Sequence, residues 1–377
     1  MQRRLQRGLS LIEIMVALAI GAVLLLGLTR VFSASRTAYQ MSEGMARVQE
    51  NARFAMEFLQ RDIRMAGHYG CVNDQSHLQS AGALTSHFGA PAFGDPLDFT
   101  VSIHGYEAPS TGPGDSVQIG EGSTPAGLPA AIQALGPYAN SDILVLRYLT
   151  GNGAPVIAIN DTGGGEVLTL ASGRWDSLTT GGVANPVLFG VADCSYVDIF
   201  RGASAGGAGE VDVAVAGAAA GSTDLMRRYT PHPSGQTMLY RAESIVYYVT
   251  TNGQGVPALH RAFFNGTAYV PEELVEGIES LQLVFGMDRN ADLNAAPPTG
   301  YVDRLSVADA AWGAVDWRGT GAVQVGLLAR SPNRAAAEQA PQRHVLGVTF
   351  TPPAADDGMY RAGYETTIAL RNRLYGN

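Results

Sequence analysis

Arg7-Gly8-Leu9-Ser10-Leu11-Ile12-Glu13-Ile14-Met15-Val16-Ala17-Leu18-Ala19-Ile20-Gly21 is the stretch on which the reading of this chain turns. From Leu9 to Thr29 the polar residues are Ser10, Glu13 and Thr29 alone. A helix of that length spans roughly 31 Å at about 1.5 Å per residue, enough to cross a bilayer core. Arg3, Arg4 and Arg7 stand ahead of it with no acid among them. That bias places the N-terminus in the cytoplasm and the remaining chain beyond the inner membrane.

Glu13 separates the ways such a segment can be used. A secretory signal has a shorter apolar core and a small-residue cleavage site, which Ser33-Ala34-Ser35 could supply. Yet a carboxylate suits a signal poorly, and the helical pattern runs past Ser35. A plain anchor gains nothing from a charge whose insertion costs about 2.5–3.5 kcal/mol. A buried core helix is disfavoured by the length and the basic flank. Glu13 therefore needs a partner. Cleavage between Gly8 and Leu9 would create one: a new α-amino group on Leu9, with Glu13 as fifth residue of the mature chain. In a staggered filament the amine of one subunit could meet the carboxylate of the next in a dry setting.

Gly8, an apolar residue, Ser10-Leu11-Ile12-Glu13 and an unbroken apolar helix resemble the class III signal of type IV pilins and type II secretion pseudopilins. The resemblance implies cleavage after Gly8 by a prepilin peptidase, N-methylation of Leu9 and subunit docking through Glu13. The family's usual first mature residue is Phe; here it is Leu9.

Beyond the span, Val31, Ala34, Ala38, Met41, Met45, Val48, Ala52, Ala55 and Leu59 recur in steps of three and four. That is a heptad stripe, expected to pack on the chain's own sheet. Glu43–Arg47 and Glu57–Arg61 form i,i+4 pairs on the polar side. Proline is absent before Pro91, so one helix is expected from Leu9 to Ala66, ending near Gly67 and Gly70.

Over the whole chain, 46 glycines and 19 prolines in 377 residues predict turns and β-structure after the helix. A hydrophobic share of 46% with 16% charged residues excludes disorder as the main state. The net charge of −9 argues against a general nucleic-acid binder. Strands are expected at Ile143–Leu149, Val156–Ile159, Val167–Leu170, Tyr196–Phe200, Ser244–Thr250, Leu259–Phe264, Ser280–Phe285, Ala322–Ala329, Val345–Phe350 and Thr366–Leu370, with a hairpin at Asn252-Gly253. Gly202–Gly221 reads as a Gly/Ala-rich loop with a weak strand inside. The expected class is α+β, a pilin-like lollipop: a long N-terminal helix, its first half in the membrane, packed on an antiparallel sheet with a large β-rich domain. The expected divisions are leader 1–8, membrane segment 9–29, periplasmic half-helix 30–66 and β-rich globular part 67–377.

Several later segments are similar to the PilW-type minor pilins: Tyr247-Tyr248 with Pro257–Arg261, Leu274–Gln282 with Phe285–Asp288, Val323–Ser331, and Tyr360–Asn372. The resemblance covers part of the helix region and scattered parts of the last 140 or so residues; residues 75–235 match poorly. It implies a subunit that primes pilus assembly at or near the tip and supports twitching, adhesion or DNA uptake. Its implied partners are other minor pilins, the major pilin, a PilY-class tip adhesin and the prepilin peptidase. The rival is the GspJ-type pseudopilin of type II secretion, whose chains are generally much shorter.

Cys71 and Cys194, placed in an oxidising compartment, are expected to pair as a disulfide. Asp288-Arg-Asn290-Ala-Asp292 alternates oxygen ligands like the start of a Ca²⁺ loop, with Asp303 as a stand-in for a later ligand. Its sixth position is Leu293, so a polar turn is the stronger reading and no cofactor is expected. Gly202-Ala203-Ser204-Ala205-Gly206 matches the nucleophile pattern of hydrolases, but chance in a Gly/Ala tract explains it better. The seven histidines show no metal-ligand spacing. An enzyme is not expected; a membrane-anchored hydrolase using Ser204 is a distant alternative.

Overall fold

The computed structural model describes residues 10–71, 82–89, 91–163, 165–204, 212–216, 223–290, 299–335, 341–355, 357–370 and 372. Helix α1, Leu11–Met65, opens the fold as a single element. Roughly 80 Å long at about 1.5 Å per residue, it splits into two environments. From Leu11 to Glu43 it is exposed almost throughout; from Gly44 its inner face is buried through Val48, Ala52, Ala55, Leu59 and Ile63. The heptad stripe is therefore seated only in its second half. Val31 and Met41, at 68% and 41% exposure, lie outside the body, because among the described residues no strand reaches back that far.

The strands are β1 Leu84–Ser86, β2 Ile103–Tyr106, β3 Ser116–Gln118, β4 Ile143–Leu149, β5 Ala154–Asp161, β6 Glu166–Leu170, β7 Leu188–Ala192, β8 Val197–Ser204 and β9 Asp212–Ala216. They continue with β10 Met238–Thr251, β11 Pro257–Phe264, β12 Tyr269–Glu276, β13 Ile278–Asp288, β14 Val302–Ser306, β15 Thr320–Arg334, β16 Arg343–Val345, β17 Val348–Thr351 and β18 Met359–Ala369.

Two antiparallel sheets cradle the seated half of α1. One is ordered β14-β13-β15-β18; the other runs β2-β4-β10-β11-β12. Their apolar faces meet the helix in one core with Leu144, Leu146, Tyr247, Leu259, Leu283, Phe285, Val325, Leu327 and Ile368. Gly277, at φ +80°, carries the chain from one sheet to the other. A Cβ there would lie 2.7 Å from the Arg330 carbonyl oxygen, so glycine serves both the conformation and the close approach.

A second core belongs to a closed barrel. Strands β5, β6, β9, β8, β7 and β10 pair in that order, and β10 returns to β5; every pairing is antiparallel. The ring closes because Met238 and Leu239 pair with β5 on one edge of β10 and with β7 on the other. Val156, Leu168, Leu170, Phe189, Val191, Phe200, Val213 and Leu239 fill the interior. So narrow a barrel is a packed core rather than a channel. From Ala242 onward β10 pairs with β4. One 14-residue strand thus serves both the barrel and the helix cradle.

The expected strands form, with one correction. Val345–Phe350 is a hairpin, β16–β17, because Leu346 and Gly347 both take positive φ and reverse the chain. The Asn252-Gly253 hairpin forms between β10 and β11, with the Asn252 side chain accepting from the Gln254 and Val256 amides. Within Gly202–Gly221, β8 runs to Ser204 and β9 occupies Asp212–Ala216.

Candidate assembly interface

Ser10 caps α1 and forms a capping box with Glu13. The Ser10 amide and hydroxyl both donate to Glu13 Oε2, at 2.8 and 2.9 Å, and the Glu13 amide donates to Ser10 Oγ at 3.3 Å. Both side-chain acceptor contacts therefore fall on one carboxylate oxygen. The apolar residues that follow are exposed on all sides: Leu18, Val23, Leu26 and Leu28 each exceed 60%. The helix is long and apolar enough to cross a membrane by length and composition. Gly8 and Leu9 lie outside the described residues.

The seat of α1 is polar at its C-terminal end. Asp62, buried, accepts from Arg261 Nη1 at 2.9 Å and from the Tyr247 hydroxyl at 2.5 Å through Oδ2. Its Oδ1 accepts from Arg61 Nε at 3.0 Å. Arg261 reaches on to Glu272 at 2.9 Å. Burial and the Asp62 charge push the Tyr247 hydroxyl upward, so it stays a donor. The cluster ties α1 to β10, β11 and β12. Asn372 completes it, donating through Nδ2 to the carbonyls of Arg64 (3.0 Å) and Ala66 (3.3 Å), two carbonyls at the helix C-terminus. At the other end of the seat, Gly44 abuts β15: a Cβ there would stand 2.5 Å from Ala335 Cβ.

Cys71 and Cys194 form a disulfide with Cα atoms 4.9 Å apart. It joins the segment leaving α1 to the turn between β7 and β8, tying the helix to the barrel. Nearby, buried Asp198 accepts from the Tyr229 hydroxyl at 2.6 Å, faces His87 Nε2 at 2.6 Å and pairs with Arg228 at 3.3 Å. This cluster clamps the segment after β1 and the segment around Arg228–Tyr229 onto barrel strand β8.

Residues 246–372 match the model of the family described as Type IV Pilus-assembly protein W, and residues 3–29 match the Prokaryotic N-terminal methylation motif. In these two segments the chain is similar to the PilW-type minor pilins of type IV pili. The PilW-type match begins inside β10 and runs to Asn372, so it covers β11 to β18 and the tail that caps α1, and leaves β2, β4 and most of the barrel outside. The methylation motif and the apolar helix fit an inner-membrane-anchored pilin. No curated protein and no solved structure matches the chain.

Asp288 accepts from the Asn290, Thr299 and Gly300 amides and the Thr299 hydroxyl, as a turn anchor. Asp303 pairs with Arg289 at 3.5 Å, and Asp292 lies outside the described residues. Among the described residues no group of three His, Cys, Asp or Glu could hold a metal. Gly202–Ser204 forms the end of β8 and pairs with β9; Ala205 and Gly206 lie outside the described residues. Sequence reading missed Asp62, Arg261 and Asn372. The available signal was an acid that continues the apolar stripe three residues after Leu59, together with an arginine in an apolar strand.

Proposed function

We propose that this chain primes assembly of a type IV pilus and sits at or near its tip. The carrying observation is the exposed run of α1 from Leu11 to Glu43, apolar up to Leu28 and bearing one carboxylate at its start. Such a surface is stable only in lipid or against other helices of the same kind. In this reading residues 1–8 are a leader removed between Gly8 and Leu9. Residues 9–29 lie in the inner membrane with the N-terminus cytoplasmic, 30–66 are periplasmic, and 67–377 form the globular part.

Loss of Arg3, Arg4 and Arg7 with the leader moves the formal charge from −9 to −12. Leu9 then carries the α-amino group and receives a methyl. Glu13 docks a neighbouring subunit: Oε2 is engaged by its own Ser10, and Oε1 faces the incoming amine. The bulk of the cradle plus barrel suits a tip or near-tip position better than a densely packed shaft. Other minor pilins, the major pilin and a PilY-class adhesin are the partners, and the role is structural rather than catalytic.

Replacing Glu13 by Ala should leave the chain in the inner membrane but abolish its recovery in sheared pili. Normal incorporation of that variant would remove the docking role. A native mature mass that does not begin at Leu9 would remove the processing step.

A further inference from the structure

A pocket of about 250 Å³ opens over β2, lined by no residue of α1. Its walls include Phe93, His104, Tyr106 and Trp312, with the carboxylates of Glu107 and Asp309. The rings pack against one another at tilted and edge-on angles: His104 lies 5.0 Å from Phe93, 4.4 Å from Tyr106 and 4.8 Å from the buried Trp317, which in turn lies 5.0 Å from Trp312. Gly105 makes room for this arrangement, since a Cβ there would strike the Phe285 ring at 2.4 Å.

Three features make the site selective. First, among the described residues no arginine lines it, so the exposed Asp309 carboxylate, and behind it Glu107, whose Oε1 accepts from Thr111 and which lies against Asp142, have no cation in the pocket wall. The nearby Arg147 is fully buried and its guanidinium donates to the carbonyls of Gly94, Asp95, Pro96 and Val101. Second, His104 is only 7% exposed, and its Nδ1 has no hydrogen-bond partner. Burial and the Arg147 charge push it down to about 3, so the ring is neutral and adds no positive charge to the wall. Third, aromatic faces carry negative quadrupole potential, which attracts a cation.

We propose that this pocket is a guanidinium site that receives an arginine side chain from a neighbouring protein. A planar guanidinium stacks on rings and presents a fork of donors to carboxylates; an ammonium has neither property. A neutral sugar could stack on the same rings but would leave both carboxylates uncompensated. The inference stands on the pocket alone; the pilin reading adds only that the neighbour is another pilus subunit.

The test uses the full chain in detergent micelles near pH 8. N-acetyl-arginine amide is titrated by calorimetry and ligand-observed NMR against its neutral isostere N-acetyl-citrulline amide, free arginine and methyl glucoside. Saturable binding is expected, about tenfold or more tighter for the arginine amide than for the citrulline amide, equal to about 1.4 kcal/mol. Glu107→Gln and the exposed Asp309→Asn should each weaken it severalfold with unchanged far-ultraviolet circular dichroism. Four results would overturn the proposal: no saturable binding, equal binding of the citrulline amide, preference for the glucoside, or strong preference for free arginine, which would mark a free amino-acid site. Retained affinity in both variants would do the same.

Discussion

Asp62, three residues from the end of the long helix, is held at 2.9 Å by Arg261 from the middle of β11, 199 residues further along the chain. Both are buried, and a buried ion pair broken on one side leaves an uncompensated charge. Arg261→Met should therefore destabilise the globular part by about 3–5 kcal/mol. Thermal melting of the detergent-solubilised chain checks this. Asp62→Asn should cost less, because the amide can still accept from Tyr247. Equal melting of wild type and Arg261→Met would show that the pair does not hold the helix.

Gly44 and Ala335 define the other end of the seat. Gly44→Ala brings two methyl carbons to 2.5 Å unless the end of β15 shifts. A loss of about 1–3 kcal/mol is expected, as for overpacked cores. Ala335→Gly in the same chain should restore most of it. Non-additivity in that double-mutant cycle is the measurement, and simple addition would mean the contact is not the cause.

The Cys71–Cys194 bond closes a separation of 123 residues. Loop-closure entropy gives about 4–5 kcal/mol for so long a loop, and typical measured values are about 2–4. Cys71→Ser/Cys194→Ser should melt well below wild type without reductant, and the two should converge when reductant is present. Convergence is the discriminating result, because reductant acts only on the bond.

Glu107 lies against Asp142, and the two share a buried site. Asp142 accepts from the Ala108 and Leu283 amides, both at 2.8 Å, and burial with the Glu107 charge pushes its carboxyl up. Burial pushes the Glu107 carboxyl up to about 7. The folded chain thus holds a proton that the unfolded chain has already released. Stability from this group is complete below the ordinary glutamate range and falls as pH rises through 7. Melting temperature should drop between about pH 5 and pH 8. Glu107→Gln, neutral at every pH, should flatten that slope and gain about 2 kcal/mol at pH 8. A variant with the wild-type slope would exclude Glu107 as its source.

The fold was legible where burial is two-sided or periodic. Ile143–Leu149 is buried at every position, and an unbroken apolar run is what such a strand requires. Leu188–Ala192 is buried as completely but escaped notice. Gly190 interrupts it, and that glycine is needed because Leu149 packs where its Cβ would be. Tyr269–Glu276 and Val302–Ser306 were missed for the opposite reason: both are edge strands with mostly exposed side chains, and Pro271-Glu272-Glu273 reads as a loop. The heptad stripe was legible along its length, but which half is seated was not, since an exposed heptad and a packed one share a pattern.

By itself the sequence determined the single long helix, its apolar first half, the carboxylate at position 13 and the pairing of two lone cysteines. Each depends on local periodicity or on simple counting. The tertiary structure alone decided the closure of the barrel, the ion pair at the helix end and the aromatic pocket. Closure depends on both edges of β10 finding partners, β5 about 85 residues and β7 about 50 residues back along the chain. The pocket depends on Phe93, His104 and Trp312 meeting from separate segments. Contacts of that kind are set by packing between distant segments, and no local pattern encodes which segments will meet.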